Sequence, residues 1–305
     1  MLQEHILNYN MKVRIISLKN NVYDIKPAIW IKSIFMVLIG IETTRFGIGI
    51  GRINTNIYFG SFIFVLMAIS GIIVVLILKF KQKEGDNRRF DYFKTVSIIC
   101  ASFFGVAFGL AIYNTIIYNL ETLNLFLLAF LGIFWFITIY YGKDWKYKGI
   151  LGNIIISISF SFGLIYGAAL NNTLIPVIIY LFFGTVFLLQ ISKDLINDCK
   201  HIERDNREGY QSFAILIGEE KAQKLSMILD IIVILFLIIP TFPEFPNILG
   251  QTLYTIIISI AIIFLGIAAF LKFRMNTERK YYRIVTILLR IGMFLVFAAL
   301  ILANF

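Results

Sequence analysis

Asp194, Asp198, His201 and Asp205 follow one another at intervals of four, three and four residues within the segment 193–218. On a helix those intervals stack side chains on one face. Asn197 lies beside them. Three carboxylates on one face repel each other, so Asp194, Asp198 and Asp205 need a compensating cation. Magnesium suits the set, because it takes oxygen ligands and is usually held by one or two carboxylates together with substrate phosphates. Lys193, Lys200, Arg204 and Arg207 are interleaved with the acids, and such cations can meet phosphate oxygens. The chemistry open to these residues is the binding of a metal-bound phosphate or diphosphate. The plainer alternative is a solvated, mixed-charge helix at a membrane edge, with His201 as a polar surface residue.

The elements around this segment are apolar. Of the 305 residues, 59% are hydrophobic and only 15% are charged, too few to cover the surface of a soluble domain. The apolar residues come in long runs, and about 20 of them span a hydrocarbon core as a helix. Backbone groups in lipid must be satisfied within the segment, which favours helices. A β-barrel is excluded, because the runs are too long and lack a period of two. The runs predict an all-α membrane protein with about nine transmembrane helices, near 28–45, 57–79, 95–118, 122–141, 149–170, 172–192, 222–241, 250–271 and 282–303. The first is the weakest, since it carries Glu42 and Arg45. Residues 1–27 are mixed and polar and read as a cytosolic lead-in to a polytopic domain over 28–305.

The net charge of +10 does not point to nucleic acid. Lys and Arg gather before the first run and in every second connection, while the connections between runs three and four, five and six, and seven and eight have none. This is the positive-inside pattern, and it predicts an inside N-terminus and an integral membrane protein whose long loops face the cytosol. Part of the basic charge meets anionic lipid. Cys100 and Cys199 form no CxxC pair and read as ordinary thiols. The Gly47–Gly51 run lacks the strand–helix setting of a dinucleotide site. Asp230 and Arg290 are charges inside apolar runs and functional candidates on that ground.

The segment 193–218 resembles the second aspartate-rich motif of the UbiA superfamily of intramembrane prenyltransferases, most closely its archaeal digeranylgeranylglyceryl phosphate synthase branch. Lys193, Asp194, Asp198, Glu203, Asp205, Gly209, Ser212 and Gly218 fall on matching or similar positions without a gap, while His201 stands where an Asp is expected. Upstream, Tyr141, Lys146, Gly149, Gly152 and Asn153 match the family's Y-S-x-x-L-K-x-x-G-x-x-G-N at the start of its fifth span. Lys26, Pro27, Trp30, Lys32 and Ser33 are similar to its R-P-x-x-W-x-K-S. The resemblance implies helices around a central apolar cavity and an active face on the cytosolic side. It also implies transfer of an isoprenoid from a polyprenyl diphosphate to a lipophilic acceptor in the membrane. In that reading Asp194, Asp198 and Asp205 hold magnesium and, with His201, form the catalytic set. Asn153, Lys146, Tyr141, Lys200, Arg204 and Arg207 bind the substrate. The acceptor would belong to archaeal-type ether lipid or quinone synthesis.

One family feature is missing. Its first aspartate motif, N-D-x-x-D-x-x-x-D, would fall just before Arg89 and Ser97, where Lys79, Lys81 and Lys83 stand and the nearby acids are Glu84, Asp86 and Asp91. A lysine facing a divalent ion at about 4 Å would cost roughly 8 kcal/mol at an effective dielectric near 20. Those lysines therefore point away from the metal or take over part of its role, unless they are simply a positive-inside anchor. The alternative function is a degenerate homologue that binds isoprenoid or lipid without transfer. A small-solute transporter would show two related halves with broken helices, and the sequence has no such symmetry.

Overall fold

The computed structural model describes residues 28–47, 149–171, 175, 177–207, 211–242, 251–274 and 279–302, with isolated positions between 61 and 69. The regular elements among them are helices: α1 (Ala28–Gly47), α2 (Ile150–Asn171), α3 (Val177–Arg207), α4 (Phe213–Ile217), α5 (Glu219–Ile238), a single 3-10 turn (Ile239–Thr241), α6 (Gln251–Arg274) and α7 (Arg279–Leu302). Five helices among the described residues, α2, α3, α5 with its 3-10 turn, α6 and α7, are long and apolar enough to cross a membrane. They fall on the last five predicted spans, and α1 falls on the first. The lead-in and the spans at 95–118 and 122–141 lie outside the described residues, as does all but a few positions of the span at 57–79.

Local sequence explains the helix limits. Gly149 holds φ +65° immediately before α2, and Gly218 holds φ +88° between α4 and α5, a conformation glycine adopts without a Cβ penalty. Pro176 directly precedes α3, and proline, which lacks an N–H, is favoured at helix starts. Glu219 and Glu220 occupy the first turn of α5, and Lys272 and Arg274 the last turn of α6. Both placements complement the helix dipole. Along α6 the buried residues Tyr254, Ile258, Ala261, Leu265, Ala268 and Lys272 recur every three or four positions. Ile256, Ile260, Ile263, Ile267 and Phe270 are exposed on the same helix. That is the arrangement of a helix with one face on its neighbours and the other toward lipid.

Close approach between α1 and α2 rests on glycine. A methyl group at Gly163 would lie 2.6 Å from Met36 Cβ, and one at Gly167 or Gly40 would collide with the carbonyl of Val37 or Leu164. In lipid there is little hydrophobic force between helices, so van der Waals contact across small residues is what joins them. Gly163 and Gly167 sit four residues apart, a small-xxx-small pair hidden inside an apolar run. The contacts run in the same sense, Ser33 and Met36 with Gly163 and Ile41 with Gly167, so α1 and α2 pack parallel.

Candidate active site

Helix α3 does not stop where its apolar part ends near residue 192. It continues through the charged segment to Arg207, so Asp194, Asp198, His201 and Asp205 do occupy one helix. At about 100° per residue they lie on one side of it. The start of α2 comes up against this side. Asn153, buried in the first turn of α2, donates through Nδ2 to Asp198 Oδ2 at 3.0 Å. The two segments are also tied below by the backbone, where Gly149 N–H donates to the Gln211 carbonyl at 3.0 Å. The tight turn at Gly149 therefore delivers Asn153 to Asp198.

The carboxylates are held separately. Asp194 Oδ2 accepts from Gln190 Nε2 at 2.8 Å, and the buried Lys193 donates to Gln190 Oε1. Lys193 thus turns into the bundle and forms a chain with Gln190 and Asp194, a use the sequence does not suggest. Asp205 is buried and accepts from Arg204 Nε and Nη2 at 3.3 and 3.2 Å. Arg204 is 44% exposed, so the pair is solvent-screened on one side. Arg207 is exposed and donates to the Glu203 carbonyl of its own helix. Lys200 and His201 are half-buried. Tyr141 and Lys146 lie outside the described residues.

Among the described residues no three His, Cys, Asp or Glu side chains converge into a metal-holding group. The physical reason is helix rise. Residues four apart are about 6 Å apart along the axis, so these acids form a ladder rather than a chelate. The donor set still suits magnesium, since carboxylate and amide oxygens are hard ligands and the ion usually keeps only one or two protein carboxylates beside substrate phosphates. Asp198 with Asn153 opposite is the place on the ladder where a second helix contributes.

Cys199 faces the other way. Its Sγ lies 3.8 Å from the Glu219 carbonyl, and the side chain is buried. Facing away from the acids and shielded from solvent, it is no candidate ligand for the ladder. Ser192, one turn before Ile196 on that same face, joins a buried polar group with Ser226 and Asp230 of α5 and Lys272 of α6. Asp230 is recognisable in the sequence as a charge in an apolar run. Its partner reads only as one more basic residue of a cytosolic connection.

Comparison with known proteins identifies the family and the fold. The model of the UbiA prenyltransferase family matches residues 92–297, more than half of the chain. Digeranylgeranylglyceryl phosphate synthase of Methanosphaera stadtmanae is 29% identical over 161 residues, 53% of this chain and 57% of that protein. The Sulfurisphaera tokodaii protein of the same name is 28% identical over 144 residues, 45% of this chain and 48% of that protein. The matched stretches thus span about half the length of these relatives. Among solved structures, one from a study of digeranylgeranylglyceryl phosphate synthase in membranes superposes with a TM-score of 0.67 at 18% identity, covering 96% of this chain and 98% of that one. A UbiA homologue from Archaeoglobus fulgidus bound to DMAPP and Mg2+ gives 0.56 at 12% identity, covering 92% and 98%. At these identities the superpositions speak for the fold, and the family match extends that to ancestry: the chain is a membrane protein belonging to the UbiA prenyltransferase family.

Proposed function

We propose that this protein transfers an isoprenoid from a polyprenyl diphosphate to a lipophilic acceptor within the membrane, from an active face on the cytosolic side of the bundle. The observation that carries the reading is the Asn153–Asp198 hydrogen bond. It joins two residues 45 positions apart in the chain, each from a segment that resembles one of the family's motifs independently. In this reading Asp198 and Asp205, assisted by Asp194 and His201, hold the magnesium diphosphate. Lys146, Lys200, Arg204 and Arg207 contact phosphate oxygens, and Asn153 and Tyr141 orient the donor. Magnesium, when bound, neutralises the diphosphate leaving group. The allylic carbon–oxygen bond breaks with its electron pair going to the diphosphate, the acceptor oxygen or carbon bonds to the allylic carbon, and the acceptor's proton is lost. The apolar helices surround a central cavity that keeps water from capturing the allylic carbon.

The relatives named for digeranylgeranylglyceryl phosphate synthesis favour a glycerol phosphate acceptor already carrying one prenyl chain, with a quinone precursor as the other acceptor class. Lys79, Lys81 and Lys83 at the place of the first aspartate motif favour a second reading, a binding protein without transfer. Turnover of labelled geranylgeranyl diphosphate by the purified protein in lipid separates the two. A magnesium-dependent prenylated product with one acceptor of a panel is expected. Donor that binds but survives intact with every acceptor would replace transferase by binding protein.

A further inference from the structure

Lys272 and Asp230 are wholly buried and paired at 2.5 Å. The three protons of the Lys272 ammonium have three acceptors: Asp230 Oδ2, Ser192 Oγ at 2.9 Å and Ser226 Oγ at 2.7 Å. Ser192 Oγ in turn reaches Asp230 Oδ1 at 2.5 Å, and Ser226 Oγ donates to the Ser192 carbonyl at 2.9 Å. The group is internally satisfied, and it ties α3, α5 and α6 together at one level. A buried ion pair is weak evidence for stability, because apolar side chains of similar volume often serve as well. What such a group can supply is a fixed register between helices.

Its place on α3 gives that register a use. At about 100° per residue, Ser192, Ile196 and Cys199 lie within roughly 60° of one another, and Asp194, Asp198, His201 and Asp205 lie on the opposite side. Ile196 and Cys199 are buried with Ser192, whereas Asp194, Asp198 and His201 are only half-buried. A grip on one face of a helix sets the direction of the other. We propose that Lys272, Asp230, Ser192 and Ser226 are positioning residues that fix the rotation of α3, so that its acidic face meets Asn153. The proposal rests on the transferase reading above for its effect on turnover, but not for its effect on geometry.

The lever is short and steep. A carboxylate about 5–6 Å from the helix axis moves by about 2 Å when the helix turns by about 20°, and a misplacement of about 1 Å can cost roughly 100-fold in rate. The test uses the full-length protein in lipid. One variant, K272M/D230L, replaces the pair with apolar bulk, and the milder S192A/S226A removes the hydroxyls that link the pair to α3. Both are expected to lower kcat about 100-fold or less steeply for the milder one, with the KM for geranylgeranyl diphosphate changed less than kcat. Geometry is read separately by cross-linking N153C/D198C with a short bifunctional thiol reagent, in a background with Cys100 and Cys199 replaced by alanine. The yield is expected to fall several-fold when either clamp variant is added. Unchanged cross-linking in S192A/S226A overturns the proposal, as does unchanged turnover in an otherwise active protein. A wild-type protein that transfers nothing, together with N153C/D198C cross-linking that still falls in the clamp variants, would remove the transferase reading and leave the positioning of α3 standing.

Discussion

Replacing Lys272 with methionine removes the ammonium and leaves the Asp230 carboxylate in a site with no exposed surface on either partner. Three hydrogen bonds to Asp230, Ser192 and Ser226 disappear together, and Asp230 keeps only the Ser192 hydroxyl. Removing one partner of a buried pair costs about 3–5 kcal/mol, because the remaining charge is uncompensated. At about 1.4 kcal/mol per tenfold, that is more than a hundredfold in the folding equilibrium. Removing both partners is different. K272M/D230L leaves no orphaned charge and fills the space with apolar atoms, so its stability should lie within about 1 kcal/mol of the wild type or above it. The assay is unfolding of purified protein in mixed micelles, followed by helix content, for both single variants and the double. Each single variant is expected to be markedly weaker than the double. Were K272M as stable as K272M/D230L, the two side chains would not be an ion pair in the folded protein, and the register assigned to α3 would lose its foundation.

Alanine at Asp198 should abolish transfer while leaving the unfolding transition in place, and alanine at Asn153 should lower transfer by less; the double variant should be no worse than D198A alone, because the two side chains act on each other. Gly167→Ala should weaken the bundle by about 1–3 kcal/mol, since its methyl meets the Val37 carbonyl, whereas Gly266→Ala, which meets nothing within 4 Å, should be neutral or slightly stabilising; thermal unfolding in micelles compares them. With Cys100 replaced by alanine, Cys199 should resist maleimide at pH 7–8 in the folded protein and react once it is unfolded in detergent, because its thiol is buried among helices. Rapid labelling at pH 7 would place Cys199 in a solvated site.

Much of this structure is written in hydropathy. The runs that become α2, α3, α5, α6 and α7 need only length and apolarity to be recognised, and the 4-3-4 spacing of the acids is visible because helical periodicity survives in a charged stretch. Partnership over long separations is what sequence conceals. Lys272 lies 42 residues from Asp230 and near Arg274, in a segment that reads as a positive-inside connection; nothing local distinguishes a lysine that folds back into the bundle from one that meets lipid headgroups. Gly163 and Gly167 are equally hidden, since the backbone they admit closely belongs to α1, more than 100 residues earlier. The acids show the opposite failure. Their common face is real, but residue spacing says nothing of rise, and the rise makes them a ladder whose rungs each find a separate partner in Asn153, Gln190 or Arg204.

These gaps share a physical origin. In water, the rotation of a helix is set by which face is apolar. In lipid both faces can be apolar, so burial of hydrophobic area leaves the rotation of α3 weakly determined. Polar contacts must then choose it, and α3 has them on both sides: Ser192 toward Asp230 and Lys272, and Asp198 toward Asn153. The two sets reinforce each other, since neither can turn without breaking the other. On the transferase reading, a family member that lacks the acids of the first motif would have fewer groups on its remaining helices to align the donor. Its dependence on a rigidly oriented α3 would be correspondingly greater, and on that reading the buried serines and the Lys272–Asp230 pair would belong to the geometry of the transfer even though none of them faces the acidic ladder.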